Sequence, residues 1–392
     1  MKLPDGQMER YKSESHVETL AKFSPNSFDL ESKRRSKFRN SGSRRSWIKS
    51  STLIFYREYT VVDLSNYTLS SRDFIQISRI LDYNTIKVLN ISGAELNAKK
   101  ISYLVDGLQH NTSLETLIYD NEKDYYDRKS LDYKITEIAN ACVNNNNLRM
   151  ISLIGHNFEL PLTVMKSIAK IKSIRTISIG GNSLTLRKMF KALYQARFEN
   201  LENVEIYKCC KYCDNSKKDL SLANLGLKTL YIGIYKNILK ELAYLADNIA
   251  EDKTIKTLTL SVPLNDCVDG IAESLKSNNT IEHLNLRSCS LSYTEVMKIL
   301  KNIKDKQNIR TLWLGNNRYD KFCVEKIAEF MVDHKFTISV LELNILESGI
   351  YGVLDNTKDP EVIEKIVTAF KKNTYLKTLL YKSGDLDYYL YD

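Results

Sequence analysis

Proline is scarce in this 392-residue chain, at 5 residues, and glycine stops at 14. Those counts exclude a collagen-like repeat and a loop-rich, low-complexity chain. Cysteine is sparse too: seven residues, an odd number, do not read as a disulfide framework. A reducing compartment is the simpler expectation. No apolar run reaches about 18 residues, so no membrane-spanning helix is expected. The opening residues, MKLPDGQMERYKSESH, lack the apolar stretch of a secretory signal, and none is expected. The phosphate-cradling patterns G-x-G-x-x-G and G-x-x-x-x-G-K-[ST] do not occur, nor does H-E-x-x-H. The five histidines, His16, His110, His156, His283 and His334, are scattered without the spacing of a metal pair or catalytic triad. An enzyme is therefore disfavoured, and neither a cofactor nor a small-molecule substrate is expected. What remains is 43% hydrophobic and 27% charged, the balance of a soluble globular protein.

The net charge of +9 is concentrated in one place. Residues 33–50, KRRSKFRNSGSRRSWIKS, carry eight basic groups and no acidic one, whereas residues 1–32 carry four basic and six acidic groups. The stretch 24–50 is rich in Ser and Asn and poor in apolar groups, too poor to offset its ordering entropy, so it is expected to be a disordered tether. Its specific uses would be targeting, association with an anionic surface, or nucleic-acid attraction through phosphates. Ser36 and Ser46 each follow an Arg pair, and phosphorylation there would cut the local charge. We read 1–58 as this basic segment with an N-terminal cap, and 59–392 as a separate repeat domain.

From about residue 59 the chain repeats itself. The clearest copies are IKVLNISGAEL (86–96), IRTISIGGNSL (174–184), IEHLNLRSCSL (281–291) and IRTLWLGNNRY (309–319). Weaker copies start at Tyr59, Leu114, Leu148, Leu201, Leu227, Ile255, Ile338 and Leu376, making twelve. Most starts lie 26–29 residues apart; two longer gaps read as insertions near 120–134 and 350–360. The L-x-L alternation predicts a short strand with one buried face. A helical spacing then follows, as in Ile101, Leu104, Val105 and Leu108, and again in Val268, Ile271, Ala272 and Leu275. Val296, Ile299, Leu300 and Ile303 repeat it, as do Val324, Ile327, Ala328 and Met331, and Ile363, Ile366, Val367 and Phe370. Ser292 with Glu295 predicts a capping box, and Asp359 before Pro360 a helix start. One strand and one helix cannot shelter their own apolar faces, whereas stacked copies can, which predicts an α/β solenoid.

These copies fit L-x-x-L-x-L-x-x-N/C-x-L, and residues 59–386 resemble the leucine-rich repeat family, specifically its ribonuclease-inhibitor-like class. The resemblance implies a horseshoe with a parallel inner sheet and outer helices. Twelve strands at roughly 4.8 Å would give an inner arc of about 53 Å. It also implies a ladder of hydrogen bonds from the N/C position, held here by Asn182, Cys289 and Asn317, but by Ala94, His156, Cys209 and Pro263 elsewhere. Ala94 and Pro263 cannot extend such a ladder, so their turns should be looser or satisfied differently. In the sixth copy, YKCCKYCDNSKKD replaces a helix with a loop. Its Cys209, Cys210 and Cys213 invite a zinc reading, but no second CxxC and no nearby His complete four ligands, and free thiols are the expectation. Cys142 is expected in the core and Cys289 in the ladder.

Binding in such a fold is expected on the concave face, at the residue between the two core positions of each strand: Asp63, Asn90, Ile118, Ser152, Ser178, Glu205, Tyr231, Thr259, Asn285, Trp313, Glu342 and Leu380. Trp313, one of two tryptophans, is the expected anchor, ringed by His283, Arg287, Arg310, Asn316 and Glu342, with Tyr231 extending the patch. The second motif position carries seven basic and three acidic residues, an edge that either favours an acidic partner or is simply a charge-mixed rim. The insertion 120–133 is read as a loop long enough to reach into the concavity or over an edge. The expected function is a non-enzymatic protein-binding scaffold. The Lys, Asn, Ile and Tyr abundance is compatible with an AT-rich genome and a host-interacting effector acting in cytoplasm. Two other readings are open: a GTPase-activating or other enzyme-regulating repeat protein, and association of residues 33–50 with an anionic surface or nucleic acid. Against the former, SGDLDYYLYD is a poor match for the acidic tails of such regulators.

Overall fold

The computed structural model describes residues 60–65, 67–120, 128–154, 161–180, 185–207, 225–233, 239–319, 321–334, 336–343, 378–383 and 386–391, with 364, 368 and 371. Expectations that fall elsewhere lie outside the described residues. They include the tether at 24–50, Asn182, His156, the Cys209–Cys213 loop, the start at Asp359 and most of the helix set from Ile363.

Strand and helix alternate from the first described residues. The order is β1 (Val61–Asp63), α1 (Ser71–Asp82), β2 (Val88–Asn90), α2 (Ala98–His110), β3 (Thr116–Ile118), α3 (Arg128–Ala141), β4 (Met150–Ile154) and α4 (Pro161–Ala169). There follow β5 (Thr176–Gly180), α5 (Leu186–Ala196), β6 (Asn203–Tyr207), β7 (Thr229–Gly233), α6 (Leu239–Glu251), β8 (Thr257–Ser261) and α7 (Val268–Ser277). The rest is β9 (His283–Asn285), α8 (Tyr293–Ile303), β10 (Thr311–Trp313), α9 (Lys321–Asp333), β11 (Val340–Glu342), β12 (Thr378–Ser383) and β13 (Leu386–Tyr391). All thirteen strands form one sheet in chain order. Strands β1 to β12 pair in parallel, in register, each beginning two residues after a repeat start. This is an α/β solenoid of the leucine-rich repeat type.

Two features depart from the reading of the sequence. The last strand, β13, turns back and pairs antiparallel with β12, from Thr378↔Tyr391 to Ser383↔Leu386. The insertion at 120–133 is not a loop throughout, because helix α3 starts at Arg128.

The core forms as the alternation demands. Val62, Leu89, Leu117, Ile151, Ile177, Val204, Leu230, Leu258, Leu284, Leu312 and Leu341 are all buried in one continuous apolar cluster with the inner faces of the helices. In α8, Val296, Ile299, Leu300 and Ile303 are buried, and so is the predicted quartet of α7. Ser292 caps α8: its hydroxyl accepts from Glu295 N while the Glu295 carboxylate accepts from Ser292 N. Ser70 and Asp73 make the same box at α1. Helices α1 and α2 pack closely at Gly107, where a Cβ would stand 2.7 Å from the Ser78 Cα, too close for any other residue.

The expected ladder holds where it is described. Asn317 donates to the Leu286 and Leu314 carbonyls and accepts from Leu291 N. The Cys289 thiol lies 3.0 Å from the Leu260 carbonyl. Around Ala94 the backbone is satisfied otherwise: Gly93 N donates to the Asp120 carbonyl and Ala94 N to that of Ile91. Burial pushes the Cys142 and Cys289 thiols up to about 12. Both are expected to escape alkylation at pH 8 until the chain unfolds, because the thiolate is the nucleophile. Mass spectrometry after native iodoacetamide treatment checks this; rapid labelling of either would contradict their burial.

A second ladder, which the motif reading missed, lies where four of the helices, α2, α3, α6 and α7, return to the sheet. Asn111, Asn145, Asp252 and Asn278 are buried and stand three residues before a repeat start. Asn278 donates to the Ile249 and Asp252 carbonyls and accepts from Thr280 N and Ile281 N. Asp252 accepts from Thr254 N and Ile255 N. Asn145 donates to Asn111, which donates to the Leu81 carbonyl.

Candidate functional site

Side chains that alternate with the core positions face the inner side of the sheet. In β4 to β8 the strands are five residues long, so this face extends one alternation beyond the L-x-L centre. Register fixes the neighbours across strands: Tyr231, Thr259, Asn285, Trp313 and Glu342 form one unbroken row. Tyr231 and Trp313 are thus three strand spacings apart, about 14 Å. Only the short side chains of Thr259 and Asn285 stand between them.

At the later end of this row three of the expected site residues, Trp313, Arg287 and Glu342, come together. The Arg287 guanidinium reaches diagonally across β10 to the Glu342 carboxylate, with both Nε and Nη2 directed at Oε2. On the way it lies over the Trp313 ring, 5.8 Å from its centre. The backbone N–H of Arg287 is held by the Asn285 side chain at 3.0 Å. His283 Nδ1 is 2.9 Å from the Thr311 hydroxyl. Trp313 is half-buried, and the Arg287 side chain is 20% exposed. Glu342 was expected as part of an accessible polar rim, but it is 2% exposed. A buried carboxylate cannot meet a partner directly; its role is to fix Arg287 over the indole. Arg310 is exposed and stands before β10 on the strand-entry edge, next to Glu282, whose carboxyl is held down first by the hydrogen bond and charge of Lys256 and then by the charge of Arg310. It belongs to that edge, not to the Trp313 cluster.

The edge itself is a charge-mixed ladder. Glu115 pairs with Lys87 at 2.8 Å, and Glu282 with Lys256 at 2.9 Å. Glu202 is held on both sides, by Arg175 at 2.9 Å and Lys228 at 2.8 Å. The hydrogen bond from Lys228, then the charges of Lys228 and Arg175, hold the Glu202 carboxyl below the usual carboxylate range. The stabilisation is therefore present above the unfolded carboxylate pKa of about 4.3 and is lost as pH falls through the lower folded value. Because the lysine and arginine tips are exposed, Glu202→Gln is expected to cost less than about 1 kcal/mol at pH 7. That loss should shrink further in high salt; urea titrations at two salt concentrations check it, and a salt-independent loss would contradict it.

Farther back, Tyr207 and Tyr231 stack with ring centres 4.8 Å apart at 36°. The Tyr207 hydroxyl donates to Glu205 Oε2 at 3.3 Å, and the Ser178 hydroxyl donates to the same oxygen. Burial, then the charge of Glu205, raises the Tyr207 phenol. Tyr231 therefore extends the inner face as expected but touches Tyr207, which the sequence reading passed over. The signal was the alternation V-E-I-Y at 204–207, followed one step too short. Gly180 is required here: a Cβ would stand 2.2 Å from the Tyr207 carbonyl oxygen. Asp120 accepts from the Ser152 hydroxyl at 2.6 Å and from Ile154 N at 2.7 Å. Among the described residues no cluster of three or more His, Cys, Asp or Glu is placed to hold a metal.

No protein-family model matches this chain, and no curated protein matches it. Among solved structures, it is similar to a chain in the crystal structure of the Rad7 and Elc1 complex in yeast, with 11% identity over 73% of this chain and 76% of that one, at a TM-score of 0.36. It is also similar to an internalin, inlF, from Listeria monocytogenes, with 15% identity over 67% of this chain and 82% of that one, at a TM-score of 0.24.

Proposed function

We propose that this chain is a non-enzymatic scaffold of the ribonuclease-inhibitor-like class, which binds another protein on the inner face of its sheet. The observation that carries the reading is the Trp313–Arg287–Glu342 arrangement. A large indole is left half-buried between the polar side chains of Asn285 and Glu342, and a guanidinium is fixed over it by the buried Glu342 carboxylate. A preset aromatic–arginine pair loses little side-chain entropy on binding, which is how anchors gain affinity. The parallel sheet supplies the rigidity, since every strand from β2 to β12 is held on both sides. The space between Trp313 and Tyr231 admits an extended segment or a side chain of the partner.

Trp313→Ala is expected to weaken the partner by about 2 kcal/mol, roughly 30-fold in Kd, without unfolding the solenoid. The partner is first taken by affinity capture on the wild-type chain, identified by mass spectrometry, then titrated against both proteins. An unchanged Kd in a folded variant would remove the anchor and the reading with it.

A further inference from the structure

The inner face has a charge opposite to that of the whole chain. Across β1 to β11 and the next alternate position, two residues past each strand, its described positions carry Asp63, Asp120, Glu205 and Glu342 against the single cation Arg287. Four minus one leaves a net −3 on a protein of net +9. Part of this face is also sheltered. Val88, Ile118 and Met150 point away from the helices and stand apart from the main apolar cluster, yet they are buried. Ser152 and Ser178 beside them are 0% exposed.

Resting on the reading that the inner face is the binding surface, we infer that its β1–β7 half is a docking site for a polybasic extended segment, and that the occupant is the chain's own residues 33–50. Charge complementarity is the first support: eight basic groups and no acidic one in 18 residues face three carboxylates, Asp63, Asp120 and Glu205. The Tyr207–Tyr231 pair adds an aromatic surface next to Glu205, a combination that favours a guanidinium or ammonium group. Reach is the second. Residues 51–60 separate the segment from the start of β1, and ten residues span up to about 35 Å. Asp120 and Glu205 lie two and five strands from β1, about 10 and 24 Å along the sheet. A segment tethered this closely has an effective concentration in the millimolar range, so weak contacts suffice for occupancy. Docking leaves the Trp313 end of the face open to a second protein.

The test uses the full chain at low salt. Zero-length carbodiimide coupling is expected to join Lys33, Lys37 or Lys49 to Asp63, Asp120 or Glu205, with the yield collapsing near 1 M salt, where screening reaches within about 3 Å. Trypsin cleavage inside 33–50 is expected to run several-fold faster in the Asp120→Asn, Glu205→Gln double variant than in the wild type, at equal melting temperature. If that variant does not fold, Arg44→Glu with Arg45→Glu gives a second arm that leaves the sheet intact, with the coupling yield expected to fall. Coupling of these carboxylates only to lysines outside 33–50, or cleavage and yields that do not change, would overturn the inference. Trp313→Ala is expected to leave the couplings intact, so failure of the partner site and failure of this docking site read out separately.

Discussion

Glu342→Ala is expected to lower stability by about 3 kcal/mol and to weaken the protein partner together with it. The carboxylate is buried on the inner side of β11, and its Arg287 partner retains only 20% exposure. Removing one member of a buried pair leaves the other charge uncompensated, which costs about 3–5 kcal/mol in proteins. Here the lower end applies, because Arg287 can swing toward solvent once released. The same swing uncovers the Trp313 ring, so the binding loss should approach that of Trp313→Ala. Glu342→Gln should fall between, keeping the shape but not the charge. A double-mutant cycle with Arg287→Ala separates the pair from its surroundings: urea titration should give a coupling of about 1–3 kcal/mol. Additive losses would show that Glu342 and Arg287 do not act together.

Asn278→Ala is expected to be the costliest single change at a turn, by about 3–4 kcal/mol. One side chain satisfies four backbone groups: it donates to two carbonyls of the preceding repeat and accepts from two N–H groups of its own. Each buried polar group left without a partner costs about 1–3 kcal/mol. Water reaching the turn recovers part of the loss, since Thr280 is half-buried. Asn278→Asp keeps the two accepted bonds and forfeits the two donated ones, so about half the loss is expected. The residue also stitches neighbouring repeats together, so the variant should show lowered hydrogen-exchange protection in both α6 and α7. A loss under 1 kcal/mol would contradict the role given to it.

The repeat was legible because its signal is periodic. A strand that must bury every second residue, followed by a helix that must bury every third or fourth, leaves a pattern that survives poor consensus. Even the weak starts at Tyr59 and Leu376 lead into paired strands. The antiparallel β13 escaped because it follows no repeat. Its local signal was Gly384–Asp385 between the apolar run TLLY and the tyrosine-rich LDYYLY, a hairpin pattern. The Asn111–Asn145–Asp252–Asn278 ladder escaped because the motif reading began at the strand and the ladder stands three residues earlier.

At the candidate site, residue identity was readable but depth was not. Trp313, Arg287, His283 and Glu342 were placed on one face by counting alternation. Counting cannot say that Arg287 would bridge two strands and draw Glu342 under cover. Counting assigns Arg310, one residue before β10, both to the surroundings of Trp313 and to the charged edge, and its place beside Glu282 decides for the edge. The charge inversion of the inner face was also present in the sequence, hidden because net charge was summed along the chain and not along a surface.

Hydrogen exchange of the full chain, alone and with its captured partner, tests the central claim most directly. The account predicts new protection in β9, β10 and β11 and in the residues around Arg287, with helices α7, α8 and α9 unchanged. Protection gained on those helices and not on the strands would place the partner on the outer face and contradict it.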